Sequence, residues 1–105
     1  MVLRYTPTAR EDIAQVKHYI THTLKNPIAA KNVARRMVKD CSILKEQPLC
    51  GGDLAAKTGR DTDLHYLVCG EHIAFYRVEE GCVSIIRILD GRSNYLSVLF
   101  GEEEY

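Results

Sequence analysis

Seven side chains in the second half of this 105-residue chain have the chemistry needed to bind a phosphate group or an acidic segment. They are His65, His72, Tyr76, Arg77, Arg87, Arg92 and Tyr95. Arginine holds phosphate or carboxylate oxygens through a planar, charged fork, and histidine can exchange a proton near neutral pH. The set is therefore suited to a phosphate or to an acidic segment of a partner protein, provided that the fold brings its members onto one surface.

Three runs rich in Val, Ile, Tyr and Phe predict the strands that carry these side chains. The runs are Leu64–Cys69, His72–Val78 and Cys82–Leu89, with Gly70-Glu71 and Glu79-Glu80-Gly81 between them. A glycine at the first position of a two-residue loop fits a type II′ hairpin. The three strands are therefore expected to form an antiparallel meander.

Alternation along the third of these strands predicts where Arg87 points. Successive residues of a strand face opposite sides of a sheet, so Ile86 and Ile88 share one side and Arg87 lies on the other. If the two isoleucines lie under the helices, Arg87 is exposed on the open face. That face has two interpretations, a binding surface or a ladder of cross-strand polar pairs, and alternation alone does not separate them.

Two amphipathic helices, at residues 10–24 and 27–46, are predicted ahead of the meander. Thr8 and Glu11 fit a capping box for the first helix. Asn26-Pro27 ends that helix and begins the second, because the residue before proline avoids the α region while proline is accepted at the first helical position. So short a corner makes the pair an antiparallel hairpin.

The whole chain, residues 1–105, is expected to form one α+β domain with the element order β-α-α-β-β-β. Its first strand is Val2–Tyr5, and the helix hairpin packs on one face of a mainly antiparallel sheet. Residues 50–63 are expected to be a loop with a short strand near Leu54. The side chains expected to be buried together are Ile13, Ile20, Val33, Met37, Ile86 and Ile88.

The composition limits the classes of protein to which the chain can belong. Lys+Arg and Asp+Glu both number 14, so the overall charge does not indicate a nucleic-acid partner. No stretch approaches the ~20 apolar residues of a membrane span. The four cysteines lack the close pairs of a structural zinc site, and their apolar neighbours indicate small core side chains in a reducing cytoplasm. No metal and no cofactor are expected.

Two further clusters lie on the predicted helices. His18 and His22 are four residues apart, a spacing that can bind a metal, but no third ligand is near and a solvated helix face is favoured. The second cluster is Lys31, Arg35, Arg36 and Lys39. It could meet phosphate, or it could be a solvated face balanced by Asp40 and Glu46.

Several segments, in their order and spacing, are typical of a known family. They are Arg10-Glu11-Asp12-Ile13, Asn26-Pro27-Ile28-Ala29-Ala30, the corner from Pro48 to Gly52, Thr62-Asp63-Leu64-His65-Tyr66-Leu67, Phe75-Tyr76-Arg77-Val78 and the run from Val83 to Tyr95. Over nearly its full length the chain resembles the RelE/ParE toxins of bacterial type II toxin–antitoxin systems. The resemblance implies a small toxin that is neutralised by an antitoxin wrapped around its surface.

The resemblance also implies one of two activities. RelE-like members cut messenger RNA in the ribosomal A site, whereas ParE-like members inhibit DNA gyrase without a known hydrolytic step. Here Ile73 stands where active nucleases commonly carry arginine, and Asp90 adds a negative charge in a stretch that is basic in many relatives. Tyr76-Arg77 and Arg87-Ile88-Leu89 are closer to the ParE side. The leading hypothesis is therefore a ParE-like inhibitor of DNA gyrase.

Two alternatives stay open. The first is a metal-independent, RelE-like endoribonuclease acting on translated messenger RNA. In it His65 or His72 would be the general base or acid, and Arg87 and Arg92 would clamp the phosphorane. Tyr95 would orient or stack on the RNA. The second alternative is a degenerate member that still binds its antitoxin but is no longer toxic.

A partner-binding surface is also expected from the resemblance. The residues expected to bind a partner are His72, Tyr76, Arg77 and Phe100. An antitoxin segment would cover a sheet edge and part of the helix pair, since unpaired edges accept an added strand. Acidic groups of the antitoxin would approach Arg87 or Arg92, and the acidic tail, residues 101–105, would stay outside the interface.

Overall fold

A computed structural model describes residues 1–101 of the chain as a five-stranded sheet with helices on both faces. In chain order the elements are β1 Val2–Tyr5, α1 Pro7–His22, α2 Pro27–Cys41, a 3₁₀ turn Ser42–Lys45, β2 Gly52–Asp53, α3 Leu54–Thr58, β3 His65–Cys69, β4 His72–Glu79, β5 Cys82–Asp90 and α4 Tyr95–Phe100. The predicted α+β class and the core order β-α-α-β-β-β are confirmed. The predicted loop of residues 50–63 contains β2 and the short helix α3.

The two long helices begin at residues that cap them. Asn26 accepts a hydrogen bond from the Ala29 amide at 3.0 Å and Pro27 follows at the first helical position, as predicted. Helix α1 begins three residues earlier than predicted, because its N-cap is Thr6 and not Thr8, and the Thr6 hydroxyl accepts from the Ala9 amide. Helix α2 ends earlier than residue 46, since the chain tightens into the 3₁₀ turn after Cys41.

The strands lie in the order β1-β5-β4-β3-β2, with β1 parallel to β5 and every other pairing antiparallel. The meander β3-β4-β5 matches the predicted strands to within one residue at each end. Gly70 opens the first two-residue loop with a φ of 65°, which favours glycine and agrees with the predicted hairpin. The mainly antiparallel sheet is thus confirmed, and its one parallel pair places β1 beside β5.

A β-bulge in β5 changes which residues face the helices. Phe75 is opposite Arg87 and Tyr76 is opposite Ile85, so Ile86 is an extra residue without a partner on β4. Ile88 packs on the helix side, whereas Ile86 packs on the other side of the sheet with Phe75. The predicted alternation, with Ile86 and Ile88 under the helices, is therefore wrong for Ile86, because alternation holds only along an unbroken ladder.

Apolar side chains form one cluster on each face of the sheet. The buried members of the helix-side cluster are Ala9, Met37, Cys41, Leu44, Cys69, Ala74, Tyr76, Val83, Ile85 and Ile88. The opposite face has Leu54, Leu64, Ile73 and Phe75, covered in part by Tyr95, Leu99 and Phe100. Of the side chains expected to be buried together, Met37 and Ile88 are buried, Ile13 and Val33 pack against them half-buried, and Ile20 is half-buried.

The four cysteines are all free thiols. Cys41 and Cys69 are buried in the helix-side cluster, as expected for small apolar side chains. Cys50 is exposed, so that expectation is wrong for this residue. Over the described residues 1–101, the helices are too short or too polar to cross a membrane.

Met37 tests the packing of α2 on the sheet. Replacing Met37→Asp places a carboxylate in the helix-side cluster, and an unpaired buried charge costs several kcal/mol of a total stability of about 5–15 kcal/mol. We expect this variant to lose its cooperative unfolding transition in thermal circular dichroism. Ile28→Asp is the control on the same helix, because Ile28 is 74% exposed and its replacement should leave the midpoint nearly unchanged. A cooperative Met37→Asp variant would contradict the helix-side core.

Candidate functional site

An ion pair between α1 and β5 lies at the centre of the candidate site. Asp12 is only 7% exposed and accepts hydrogen bonds from the Arg87 Nε at 2.8 Å and the Arg87 Nη2 at 3.0 Å. The same carboxylate accepts a third bond from the Ile88 amide at 3.0 Å. The hydrogen bond with Asp12 raises the pKa of the Arg87 guanidinium. Arg87 therefore stays charged and is held in one orientation.

The end of β1 explains why Asp12 occupies this position. Strand β1 ends at Tyr5, opposite Ile85, so the edge of β5 has no strand partner beyond that point. The Thr6 hydroxyl donates to the Ile86 carbonyl at 3.0 Å, and Asp12 accepts from the Ile88 amide. The side chains of Thr6 and Asp12 thus form the hydrogen bonds with β5 that further residues of β1 would otherwise form.

The predicted position of Arg87 on the open face of the sheet is wrong. Its guanidinium binds Asp12 on α1, and its side chain is about a quarter exposed. The physical cause is that β1 does not extend past Ile85, so Asp12 of α1 lies at the uncovered edge of β5, where it accepts hydrogen bonds from the Ile88 amide and from Arg87.

Arg92 forms a second ion pair after the end of β5. The Asp90 carboxylate accepts from the Arg92 amide at 2.8 Å, from its Nε at 3.1 Å and from its Nη2 at 2.9 Å. Hydrogen bonding from the Arg92 side chain lowers the pKa of Asp90 to about 2. Glu71 lies 3.7 Å from the same guanidinium. Arg92 is well exposed, but its charge is offset on two sides.

A groove of about 590 Å³ runs between α1 and the end of β5 and contains both ion pairs. Its charged lining is Asp12, Glu71, Asp90, Arg87 and Arg92, with His72 beside them. Its apolar lining includes Val16, Tyr19, Ile20, Leu24 and Val98. Because three carboxylates face two guanidinium groups, the groove is not a positively charged site. We name it the α1–β5 groove.

His65, Tyr76 and Arg77 lie together away from the groove, where β3 begins. The His65 ring stacks on the Tyr76 ring with centroids 5.3 Å apart. Tyr76 is buried, which raises the pKa of its hydroxyl, and that oxygen accepts a hydrogen bond from the Gly51 amide at 3.2 Å. Arg77 pairs with Asp63 at 2.9 Å. A side chain at Gly51 would collide with the Tyr76 hydroxyl, so this corner requires glycine.

Tyr95 and Phe100 lie on the opposite face of the sheet from α1 and α2. The Tyr95 ring is 5.2 Å from the ring of Phe75, and the Arg60 guanidinium lies 4.7 Å from the ring of Phe100. Both aromatic side chains of α4 therefore cover the apolar cluster on that face.

The predicted site residues thus fall into three groups rather than one face. Arg87, Arg92 and His72 line the α1–β5 groove. The second group, near the start of β3, is His65, Tyr76 and Arg77, and the third, on the opposite face of the sheet, is Tyr95 and Phe100. Sequence reasoning missed Asp12 as the partner of Arg87. The sequence does contain a signal for this partner. Asp12 is a charged residue at a position of α1 where the spacing of the apolar residues predicts a buried side chain.

Within residues 1–101, no group of three or more His, Cys, Asp or Glu side chains is arranged to hold an ion. His18 and His22 pack ring against ring at 4.3 Å on α1, and they are exposed.

Comparison with known proteins identifies the family. A sequence profile described as the ParE toxin of the type II toxin–antitoxin system parDE matches residues 3–95. The chain belongs to the ParE toxin family. It is therefore a toxin component of a type II toxin–antitoxin system, and an antitoxin is its expected partner.

A solved structure supports the same fold. A chain described as belonging to a chromosomal ParDE TA system from P. aeruginosa superposes with a TM-score of 0.72. Its sequence identity to this toxin is 21%, and the match covers 86% of this chain and 95% of the other. Comparison with curated protein sequences gives no significant match. The predicted RelE/ParE fold is confirmed.

The Asp12–Arg87 pair has a testable effect on stability. Asp12→Ala removes three hydrogen bonds and leaves a guanidinium without its partner, and breaking a largely buried pair typically costs about 3–5 kcal/mol. We expect a loss of about 3 kcal/mol in the free energy of unfolding, measured by urea denaturation of the purified toxin. Asp63→Ala is the control, because its pair with Arg77 is exposed and should contribute less than about 1 kcal/mol. Equal losses in the two variants would argue against the structural role of Asp12.

Proposed function

We propose that this ParE-family toxin acts as a binding protein that inhibits DNA gyrase and not as a ribonuclease. The observation that carries the proposal is that three arginines considered for phosphate binding already have carboxylate partners. The pairs are Arg77 with Asp63, Arg87 with Asp12 and Arg92 with Asp90. A ribonuclease stabilises extra negative charge in its transition state, and arginines neutralised in advance are poorly suited to that task.

The positions of the candidate catalytic groups support the same proposal. A general base and a phosphate clamp must reach one scissile phosphate within hydrogen-bond distance. His65 stacks on Tyr76 near the start of β3, away from the arginines, whereas His72 lines the α1–β5 groove with Arg87 and Arg92. Both of these arginines are already paired with carboxylates. Tyr95 packs on Phe75 across the sheet. Because one candidate base lies away from the arginines and the other shares a groove with arginines that are already paired, the toxin is better suited to bind a large protein target than to cleave a phosphodiester.

The target is tested directly with purified gyrase. We expect the toxin to reduce supercoiling of relaxed plasmid in a dose-dependent manner, and its antitoxin, added at equal concentration, to restore activity. In parallel, primer extension on messenger RNA from cells expressing the toxin should show no cuts at coding positions. In-frame cuts together with unaffected gyrase would replace the proposal with the ribonuclease. Failure of both assays would indicate a degenerate member.

The α1–β5 groove is our proposed binding site for an apolar segment of the antitoxin. Tyr19, Leu24 and Val98 line it and are 55%, 57% and 48% exposed, which is unusual for large apolar side chains grouped around one groove. Arg87 and Arg92 are already paired, so acidic groups of the antitoxin would gain little by approaching them. This replaces the expectation from sequence that acidic groups bind there. With gyrase and an antitoxin as its partners, the toxin is proposed to act in the cytoplasm.

Two substitutions test the groove. Leu24→Asp and Val98→Asp each place a charge on the apolar lining, and we expect each to weaken antitoxin binding about tenfold or more in calorimetric titration. Val68→Asp is the control, because Val68 is exposed on β3, away from the groove. Unchanged affinity in both groove variants, with normal folding, would place the antitoxin elsewhere. The tail, residues 102–105, lies outside the described residues, and its exclusion from the interface stays a prediction.

A further inference from the structure

The net charge of the toxin is zero, but its positive and negative residues are distributed unevenly along the chain. Residues 7–41, which hold both long helices, contain seven Lys or Arg and three Asp or Glu, a net charge of +4. Residues 42–105 contain six Lys or Arg and eleven Asp or Glu, a net charge of −5. The helix hairpin is therefore the basic part of an otherwise acidic molecule.

The cations of the hairpin are exposed and lack ion-pair partners. They are Arg10, Lys17, Lys25, Lys31, Arg35, Arg36 and Lys39. Within the described residues 1–101, none of the seven forms an ion pair, although Arg4, Arg77, Arg87 and Arg92 all do. Asp12, one of the three acids, is buried against Arg87, so that only Glu11 and Asp40 oppose the seven cations. We name this surface the basic hairpin face.

The cations are spaced along the helices in a way that can follow a chain of phosphates. Lys31, Arg35 and Lys39 are four residues apart on α2, which gives steps of about 6 Å and a row of about 12 Å. Arg35 and Lys39, with Arg36, line a shallow depression on α2. Arg10 and Lys17 line another on α1. Each cation of such a row can reach a different phosphate of one nucleic-acid strand.

We propose that the basic hairpin face binds the phosphate backbone of duplex DNA without reading its sequence. Four of its seven cations are lysines, a residue that is depleted in protein–protein interfaces. The depression on α2 is lined by Arg35, Arg36, Lys39 and Asp40, with none of the aromatic anchors that a protein partner would use. The chemistry of the face thus favours a polyanion with a repeating charge over an acidic protein.

This binding goes beyond the proposed action on gyrase and does not depend on it. The acidic half of the molecule would turn away from DNA, because the separated charges orient the toxin in the field of the duplex. The α1–β5 groove has paired charges and stays outside the contact. A toxin bound in this way would be concentrated on DNA, whichever protein it inhibits.

The test measures binding of the full-length toxin to a labelled 20-base-pair duplex of arbitrary sequence by fluorescence anisotropy across a series of NaCl concentrations. We expect affinity to fall steeply with salt, with a slope equivalent to about three or four neutralised phosphates. The variant Lys31→Glu/Arg35→Glu should bind at least tenfold more weakly, with a smaller slope. The control Lys45→Glu/Lys57→Glu has the same change in net charge at exposed sites outside the hairpin, and should bind within twofold of the wild type.

Further measurements check the folding of each variant and the class of partner that the face binds. Thermal melting checks that each variant folds, and Lys31→Gln/Arg35→Gln, which removes the charges without reversing them, should give an intermediate loss. Equal losses in the hairpin variant and the control would overturn the proposal, as would a wild type that does not bind duplex at low salt. A polyglutamate peptide that binds more tightly than DNA at equal charge would also overturn it, in favour of an acidic protein partner.

Discussion

The Asp12 carboxylate is nearly buried where α1 packs on β5, and a charge in such a position must be met by hydrogen-bond donors. Strand β5 supplies all three, two from the Arg87 guanidinium and one from the Ile88 amide. With the Thr6 hydroxyl on the Ile86 carbonyl, this carboxylate holds the helix layer on an edge that β1 is too short to cover. The placement of α1, and with it one wall of the α1–β5 groove, depends on this contact.

The Asp12–Arg87 contact also bears on whether the arginines near the sheet are free to bind phosphate. Arg87 is engaged by Asp12, and Arg77 and Arg92 have acidic neighbours of their own, so the arginines that suggested phosphate chemistry are largely neutralised. The larger excess of positive charge lies instead on the helix hairpin, where only Glu11 and Asp40 oppose seven exposed cations within the described residues 1–101. A ParE-family toxin of this kind has an apolar groove with paired charges on one side and a basic surface on another. These are the two surfaces at which we propose that it binds macromolecules.

Much of the fold followed from local patterns. Asn26-Pro27 marked the corner of the hairpin, and the runs separated by glycine-containing loops marked the meander to within one residue, because caps and tight turns depend on a few neighbouring residues. The candidate site was less predictable. Arg87 and Arg92 do line the same groove. The charge of that groove, however, is set by their carboxylate partners, and the partner of Arg87 is 75 residues away in the chain.

The sequence by itself determined the elements, the family resemblance and the unequal distribution of charge between the hairpin and the rest of the chain. The tertiary structure decided which of those charges stay free. Alternation along β5 assumed an unbroken ladder, yet the register against β4 leaves Ile86 as an extra residue, and Arg87 turns to α1. Register and ion pairing bring together residues far apart in the chain, and local periodicity carries no information about such contacts.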